Sequence, residues 1–191
     1  MKDSGSDVKA RLKKSRKEIL DFYRSSRKKI VIDIQGLSHQ RVGRIVDGGP
    51  WSGFRALVRY SISTILYPMP FSRIKVLFYR MCGMKIGKNV YIAPAVYIDI
   101  LRPQLISIGD NVMIGMGANI AAHERTLRIL SMGRVRIGNN VTIGGMTIIR
   151  NGVTIGDDVE IDMKCNITKS VPRGRRIVAY RNGMAEYGKD L

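Results

Sequence analysis

The sequence from residue 137 to residue 171 reads IGNNVTIGGMTIIRNGVTIGDDVEIDMKCNITKSV, and isoleucine recurs in it at every sixth position. The residue four positions after each of these isoleucines is small or β-branched. The same pattern begins at residue 86, and the twelve hexads start at Ile86, Ile92, Ile98, Ile108, Ile114, Ile120, Ile137, Ile143, Ile149, Ile155, Ile161 and Ile167. A six-residue period is neither the 3.6-residue period of a helix nor the alternation of a simple strand. It predicts short strands and tight turns that wind into a solenoid, with one bulky and one small side chain per hexad pointing inward.

Three hexads make one triangular coil, so the pattern predicts four coils, at residues 86–101, 108–123, 137–154 and 155–172. The pattern is interrupted twice, by four extra residues after the first coil and by eleven after the second. Both insertions follow the third hexad of a coil, and they are therefore expected to leave the solenoid at the same corner. We expect residues 124–136, which contain the longer insertion, to form a loop.

Three segments carry a resemblance to a known family: IGDNVMIGMGANIAAHE at 108–124, IGNNVTIGGMTI at 137–148 and VTIGDDVEIDMKCNITKSVPRG at 153–174. They resemble the hexapeptide-repeat acyltransferases, and the maltose and galactoside O-acetyltransferases among them, over about residues 84–181. The resemblance implies a mainly β fold, a left-handed parallel β-helix of four coils, usually assembled as a homotrimer. The left-handed winding is taken from the resemblance, because crossovers between parallel strands are usually right-handed. The resemblance also implies transfer of an acetyl group from acetyl-CoA to a sugar hydroxyl.

The chain is expected to consist of three parts. These are a basic, amphipathic helical region with a connector at residues 1–85, the β-helix at 86–181 and a C-terminal tail at 182–191. Residues 31–50 mix a short β-branched run with several glycines, and we interpret them as the connector. The net charge of +18 is unevenly divided, since residues 1–85 hold +13 and residues 86–191 hold +5. Such a basic excess implies an anionic partner, which could be nucleic acid, a lipid surface or a phosphorylated ligand.

Apolar residues at helical spacing predict an N-terminal helix that begins at a capping box at residues 4–7, and further helices over 51–67 and 71–81. These helices either cap the open end of the solenoid or lie on an anionic membrane surface. The cap is favoured for residues 71–82, whereas the two alternatives are balanced for residues 1–30 and 51–67. Nucleic acid is a less favoured partner, because no recognised binding motif accompanies the charge.

The sequence shows no secretory signal and no spanning segment. Its most apolar stretch, from Phe54 to Tyr67, contains Arg55 and Arg59 and is shorter than the roughly 20 apolar residues that a spanning helix needs. The two cysteines of the chain offer no disulfide framework, so a reducing compartment is the simpler interpretation. We expect a cytoplasmic protein, or one that lies peripherally on the inner face of the membrane.

The candidate catalytic residue is His123, which ends the second coil where the longer insertion begins. In the acyltransferases that the chain resembles, a histidine at this place is the general base. A base is needed because a hydroxyl is a poor nucleophile, and imidazole can accept its proton at neutral pH. Asp99, at a similar point one coil earlier, and Glu124 are candidates to orient the imidazole, although either could equally be a solvated corner residue. The other histidine, His39, is interpreted as a surface loop residue, and no metal site is predicted.

Acetyl-CoA is implied as the acyl donor, lying in the family along the groove between neighbouring solenoids with basic residues near its phosphates. The candidate donor-binding residues are Gly144, Gly145, Lys169, Arg173, Arg175 and Arg176. Arginine suits phosphate through its bidentate fork, but each basic residue could equally belong to a solvated tail. The sequence departs from the family pattern where Met163 and Lys164 replace small residues. It departs again at residues 178–182, where VAYRN replaces the usual G-x-P-A-K/R ending.

The predicted function is that of an O-acyltransferase, which transfers an acetyl group from acetyl-CoA to a hydroxyl of a sugar or lipid-linked glycan. The predicted assembly is a homotrimer with His123 as the general base. The alternative is a non-catalytic β-helix, acting as a scaffold or binding an anionic surface of membrane or nucleic acid. The departures in the donor groove motivate that alternative, and tight binding of acetyl-CoA would count against it.

Overall fold

The structure is a computed structural model, and it describes residues 5–35, 37, 50–179 and 185–187. Within them the helices are α1 (Gly5–Arg24), α2 (Pro50–Leu66) and α3 (Ser72–Met81), and a 3-10 turn spans Pro103–Leu105. The strands are β1 (Lys29–Asp33), β2 (Lys85–Ile86), β3 (Tyr91–Ile92), β4 (Tyr97–Ile98), β5 (Ile106–Ile108), β6 (Met113–Ile114), β7 (Asn119–Ile120), β8 (His123–Arg125), β9 (Ile129–Gly133), β10 (Val135–Ile137), β11 (Thr142–Ile143), β12 (Ile148–Ile149), β13 (Thr154–Ile155), β14 (Glu160–Ile161), β15 (Asn166–Ile167), β16 (Arg176–Ala179) and β17 (Ala185–Tyr187). The predicted capping residue Ser4 and His39 lie outside the described residues.

The twelve hexads build four coils of three short strands each, as the sequence predicts. Strands of successive coils pair in parallel in three sheets, with the orders β13-β10-β5-β2, β16-β14-β11-β6-β3 and β15-β12-β7-β4. In the second of these sheets Ile92 pairs with Ile114, and Ile114 pairs with Ile143. Isoleucine therefore stacks on isoleucine from coil to coil, and these side chains fill the inside of a parallel β-helix.

Nine of the ten small residues at the second inward position are buried as predicted, and the tenth, Val90, is partly buried. The nine are Val96, Val112, Ala118, Val141, Thr147, Val153, Val159, Cys165 and Val171. Both insertions leave the helix after a strand of the third sheet, so the prediction of a shared corner is confirmed. The first insertion contains the 3-10 turn and the second contains β8 and β9.

One corner of the β-helix is built from Asn89, Asn111, Asn140 and Asp158, one residue from each coil. All four have a positive φ between 51° and 57°, a conformation that asparagine and aspartate tolerate better than other residues with a Cβ. Their side chains also bond from coil to coil: Asn111 Nδ2 donates to Asn140 Oδ1 at 3.1 Å, and Asn140 Nδ2 donates to Asp158 Oδ1 at 2.9 Å. The same residues therefore make the turn and fasten the coils together.

The substitution Gly144→Ala is expected to lower the free energy of unfolding by about 2–3 kcal/mol. A Cβ at Gly144 would collide with the backbone of Asp162 and Met163 in the next coil. The coils cannot separate there without stretching the 2.7 Å hydrogen bond from Gly144 N to Ile161 O. Chemical denaturation measures the change, with Thr142→Ala on the preceding strand β11 as the control. Equal stabilities of the two variants would contradict this account of the packing.

The prediction of a loop at residues 124–136 is wrong, because β8 and β9 form an antiparallel hairpin there. Strand β1 pairs antiparallel with the other edge of β9, with Lys29 opposite Gly133. Leu130 and Met132 of β9 are buried. The hairpin was missed because it lacks the six-residue period and because its third strand comes from a distant part of the chain, at the start of the expected connector. The N-terminal region is therefore joined to the β-helix by a shared sheet.

Helix α1 packs on this three-stranded unit. Its residues Ile19 and Phe22 are buried in the same core as the β-helix. The Arg134 guanidinium lies 4.8 Å from the centre of the Phe22 ring and donates hydrogen bonds to Phe22 O at 3.0 Å and Ser25 O at 2.7 Å. A cation at this end of a helix stabilises the carbonyl groups that lack a partner within the helix.

Helix α3 covers the first coil, which confirms the cap predicted for residues 71–82. It contacts β2 and β3, and its residues Lys75, Val76 and Tyr79 are buried. Burial lowers the pKa of Lys75, whose Nζ donates to Ala93 O at 2.8 Å and to Tyr67 O at 3.3 Å. The lysine therefore ties the end of the α2 segment to the first coil.

The segment expected to be a C-terminal tail contains a strand. Strand β17 pairs antiparallel with β16, with Tyr187 opposite Ile177. The second sheet thus continues beyond the four coils through β16 and ends at β17.

Candidate active site

The site predicted from the sequence lies at the corner where the hairpin leaves the second coil. His123 is the first residue of β8, and two residues separate it from the third-sheet strand β7. Its Nδ1 is hydrogen-bonded to Asp99 Oδ2, which belongs to the first coil. The side chain of His123 is 25% exposed, whereas that of Asp99 is 1% exposed, so the imidazole has one buried side and one open side.

The Asp99 carboxylate is held by the backbone on both of its oxygens. Oδ1 accepts a hydrogen bond from Leu101 N at 3.0 Å, and Oδ2 accepts one from Ala122 N at 3.2 Å. A carboxylate has only acceptors to offer, so the nitrogen that faces it must carry a proton. In the neutral imidazole this proton is on Nδ1, which donates to Asp99, and the lone pair is on Nε2.

Asp99 and Glu124 are the two candidates to orient the imidazole. In the structure Asp99 contacts His123, whereas Glu124 contacts Arg150. Successive side chains of a strand point to opposite sides, and Glu124 follows His123 in β8. Both carboxylate oxygens of Glu124 accept hydrogen bonds from Arg150 Nη2, and Oε2 lies 3.4 Å from Asn151 Nδ2. Asn151 Oδ1 in turn accepts a hydrogen bond from Ser131 Oγ at 3.0 Å. Glu124 thus fastens the hairpin to the third coil, and the assignment of Glu124 as an imidazole partner is corrected.

The hydrogen bonds from Arg150 hold the pKa of Glu124 below its ordinary value. A carboxyl whose folded-state pKa is depressed adds stability above its unfolded-state pKa and loses it as the pH falls. We expect Glu124→Gln to lower the free energy of unfolding by less than about 1 kcal/mol above pH 5, because the pair is partly exposed. The difference should shrink below about pH 4.3. Denaturation at several pH values measures it, with Glu160→Gln, whose ion pair with Arg176 spans 4.0 Å, as the control. If the stability difference between wild type and Glu124→Gln stayed the same in acid, the ion pair between Glu124 and Arg150 would not be its cause.

The predicted donor-binding residues lie in two other places. Gly144 and Gly145 form the corner between the second and third sheets, where their closeness to the neighbouring coils already requires glycine. Arg173 Nη2 pairs with Asp158 Oδ2 at 2.8 Å, and Arg176 Nη2 lies 3.6 Å from Asp162 Oδ1. Lys169 and Arg175 lie beside these residues in the last turns of the β-helix.

Sequence reasoning missed Arg150, which follows β12 in the third coil. Arg150 occupies the same position in its hexad as Asp99 does in the first coil, directly after the isoleucine. The sequence alone could have placed Arg150 near Asp99, because residues at the same position of the third hexad of each coil lie at the same corner. The pairing with Glu124 was not available, since it depends on how the hairpin folds back.

Comparison with known proteins agrees with this fold. A family model described as hexapeptide repeat of succinyl-transferase matches residues 134–169. "Putative acetyltransferase YvoF" of Bacillus subtilis (strain 168) is 40% identical over 106 residues, which are 55% of this chain and 62% of that protein. Galactoside O-acetyltransferase of Escherichia coli (strain K12) is 32% identical over 97 residues, 45% of this chain and 48% of that protein. The chain thus spans less than two thirds of the length of these curated relatives.

Two solved structures have similar folds. A maltose O-acetyltransferase from Clostridium difficile 630 matches 70% of this chain and 84% of its own, with 23% identity and a TM-score of 0.53. A galactoside acetyltransferase in complex with coenzyme A matches 70% and 79%, with 19% identity and a TM-score of 0.54. The chain is therefore a left-handed parallel β-helix of the hexapeptide-repeat type. Its resemblance to the hexapeptide-repeat acyltransferases, including the maltose and galactoside enzymes, is confirmed.

Proposed function

We propose that this protein is a CoA-dependent O-acyltransferase that moves an acetyl group from acetyl-CoA to a hydroxyl of a sugar or lipid-linked glycan. The observation that carries the proposal is the hydrogen bond between a buried carboxylate, Asp99, and a half-open imidazole, His123. An imidazole oriented by a carboxylate, with its second nitrogen open, is the arrangement that general-base catalysis requires. The acetyltransferase names of the related proteins supply the reaction class.

The reaction proceeds by direct transfer between the two substrates. His123 Nε2 takes the proton of the acceptor hydroxyl while the hydroxyl oxygen attacks the thioester carbonyl carbon. The carbonyl becomes an oxyanion, which a backbone N–H stabilises. The oxyanion then collapses, the C–S bond breaks, and the imidazolium returns its proton to the leaving sulfur. The products are an O-acetyl ester and coenzyme A with a free thiol.

Asp99 acts through His123 and is a positioning residue. It keeps the proton on Nδ1, which leaves Nε2 free to act as base, and its charge stabilises the imidazolium that forms during the reaction. Its two backbone hydrogen bonds fix the carboxylate before substrate arrives, so little reorganisation is needed during the reaction.

The residues along one corner of the β-helix fit a coenzyme A thioester as substrate. Met116, Met146 and Met163 are exposed there, one in each of the second, third and fourth coils, and Met146 N donates to Met116 O at 2.8 Å. Met116 and Met146 offer apolar surface to the pantetheine arm, whereas Met163 is one of the two departures from the family pattern. Arg176 lies beside Asp162 at the end of this corner, and together with Arg173 it supplies cations for the phosphates.

We further propose that the protein works as a homotrimer, in which the donor lies in the groove between neighbouring β-helices. The exposed methionines of the corner are the apolar surface that such a groove would cover. A trimer would bring the basic last turns of each chain beside the corner of its neighbour.

Incubation of the full chain with acetyl-CoA and a panel of hydroxyl acceptors tests the proposed function. Free thiol measures turnover, and mass spectrometry identifies the acetylated product. We expect thiol release that depends on a sugar or glycan acceptor, together with binding of acetyl-CoA in calorimetry. If neither thiol release nor binding of acetyl-CoA is observed, the non-catalytic scaffold is the better explanation of why Met163 and Lys164 differ from the family pattern.

A further inference from the structure

Helix α2 turns its apolar side away from the rest of the protein. Leu66 is buried, and Ala56, Arg59 and Ser63 are partly buried at the same helical spacing, so this narrow and mostly polar stripe faces inward. The outward side carries large apolar residues that are 39% to 62% exposed, and these are Phe54, Leu57, Val58, Tyr60, Ile62 and Ile65. The helical spacing predicts a single apolar face formed by Phe54, Leu57, Val58, Ile62, Ile65 and Leu66. The structure leaves the first five exposed, and the prediction is wrong for Leu66, which lies on the inward side.

Helix α3 repeats this arrangement. Its buried side, which includes Lys75 and Val76, covers the first coil. The opposite side, with the residue that precedes the helix, carries Phe71, Ile74, Leu77 and Met81, which are 50% to 77% exposed. We call these four residues and the six of α2 the apolar helix surface. Large exposed apolar groups gathered on adjoining elements mark a surface that binds a partner.

The charge around the apolar helix surface has a single sign. No acidic residue occurs between Asp47 and Asp99, whereas this segment holds seven lysines and arginines. Arg55 and Arg73 are exposed on the two helices, whereas the Arg80 guanidinium is hydrogen-bonded to Ile86 O and Gly87 O of the first coil. Apolar and aromatic side chains interspersed with arginine are the composition that binds the interface of an anionic membrane.

We propose that the apolar helix surface docks the protein on an anionic lipid membrane, with α2 and α3 lying in the plane of the interface. No described helix is long and apolar enough to cross a bilayer, so the helices lie on the membrane and do not span it. The apolar side chains enter the boundary between headgroups and acyl chains, and the arginines pair with lipid phosphates. This inference does not depend on the proposed acyltransferase activity.

A second copy of the chain is a less suitable occupant than a lipid surface. The segment that bears the apolar helix surface has no acidic residue, so all of its charged side chains are positive. Bringing two such surfaces together adds like-charge repulsion, whereas an anionic membrane removes it. Charge complementarity therefore favours an anionic membrane over a second copy of the chain as the partner of this surface.

Vesicle flotation of the full chain tests the proposal. Wild-type protein should float with vesicles of phosphatidylcholine and phosphatidylglycerol, should bind pure phosphatidylcholine weakly, and should be released as the salt concentration rises. Leu57→Glu should lower partitioning to the mixed vesicles about tenfold, because it removes an apolar group that would enter the membrane and adds a charge that the anionic lipids repel. Arg73→Gln should lower it about fivefold.

The matched controls lie on the hairpin, away from the two helices. Leu127 is 80% exposed and Arg128 is also exposed, so Leu127→Glu and Arg128→Gln make the same chemical changes elsewhere. Their vesicle binding should stay within twofold of wild type, and thermal unfolding checks that every variant is folded. The proposal is overturned if wild type does not bind the anionic vesicles or if controls and helix variants lose binding equally. It is also overturned if light scattering shows that Leu57→Glu changes the oligomeric state while vesicle binding is kept.

Discussion

His123→Ala is expected to lower kcat for acetyl transfer by about 10³-fold, the middle of the range for loss of a general base. Without the imidazole, the acceptor hydroxyl must lose its proton to water. The folded structure should survive, since the side chain of His123 is partly exposed and ends a coil that packs through Ile120 and Ala122. Binding of acetyl-CoA should be retained, because the proposed donor contacts lie on another corner.

Steady-state kinetics, calorimetry with acetyl-CoA and thermal unfolding together measure this result. Leu127→Ala at the tip of the same hairpin is the matched control, and it should keep wild-type kcat. Full transfer activity in the His123→Ala variant would contradict the proposed mechanism. Loss of acetyl-CoA binding in parallel with activity would instead assign His123 to the donor site.

Asp99→Asn is expected to lower kcat by about 10²-fold, with a KM for acetyl-CoA close to that of wild type. The amide can present an N–H to His123 Nδ1, and the ring then carries its proton on Nε2, where it cannot act as base. The amide also lacks the charge that stabilises the imidazolium. The substitution conserves size, and the amide oxygen can still accept a backbone hydrogen bond, so the loss should be one of activity rather than of folding.

A double-mutant cycle separates this positioning role from a merely structural one. If Asp99 acts through the imidazole, Asp99→Asn should have little further effect when His123 is already alanine. Independent, multiplying losses in the double variant would count against the proposed pairing. Glu124→Gln gives a further contrast, because Glu124 contacts Arg150 and should affect kcat far less than Asp99→Asn.

The coil structure was predictable because every coil repeats the same local rule. An isoleucine at each sixth residue and a small residue four positions later determine which side chains point inward, and each strand pairs with its equivalent one coil away. His123 was predictable for a related reason, since the pattern breaks directly after it. The choice between Asp99 and Glu124 was not predictable. Asp99 lies at the equivalent point one coil earlier and Glu124 directly follows His123, and only the alternation of side chains along β8 shows which of them faces the imidazole.

The sequence by itself determined the four coils, their shared corner and the position of His123, because a short period acts through neighbouring residues and adjacent coils. Only the tertiary structure decided the pairing of β1 with β9 and the contact of Asp99 with His123, which join residues far apart in the chain. It also decided which sides of α2 and α3 face outward. Helical spacing identifies an apolar stripe but not what covers it, and here the first coil takes the opposite side of α3. The apolar stripes stay exposed among arginines, and that placement motivates the membrane proposal.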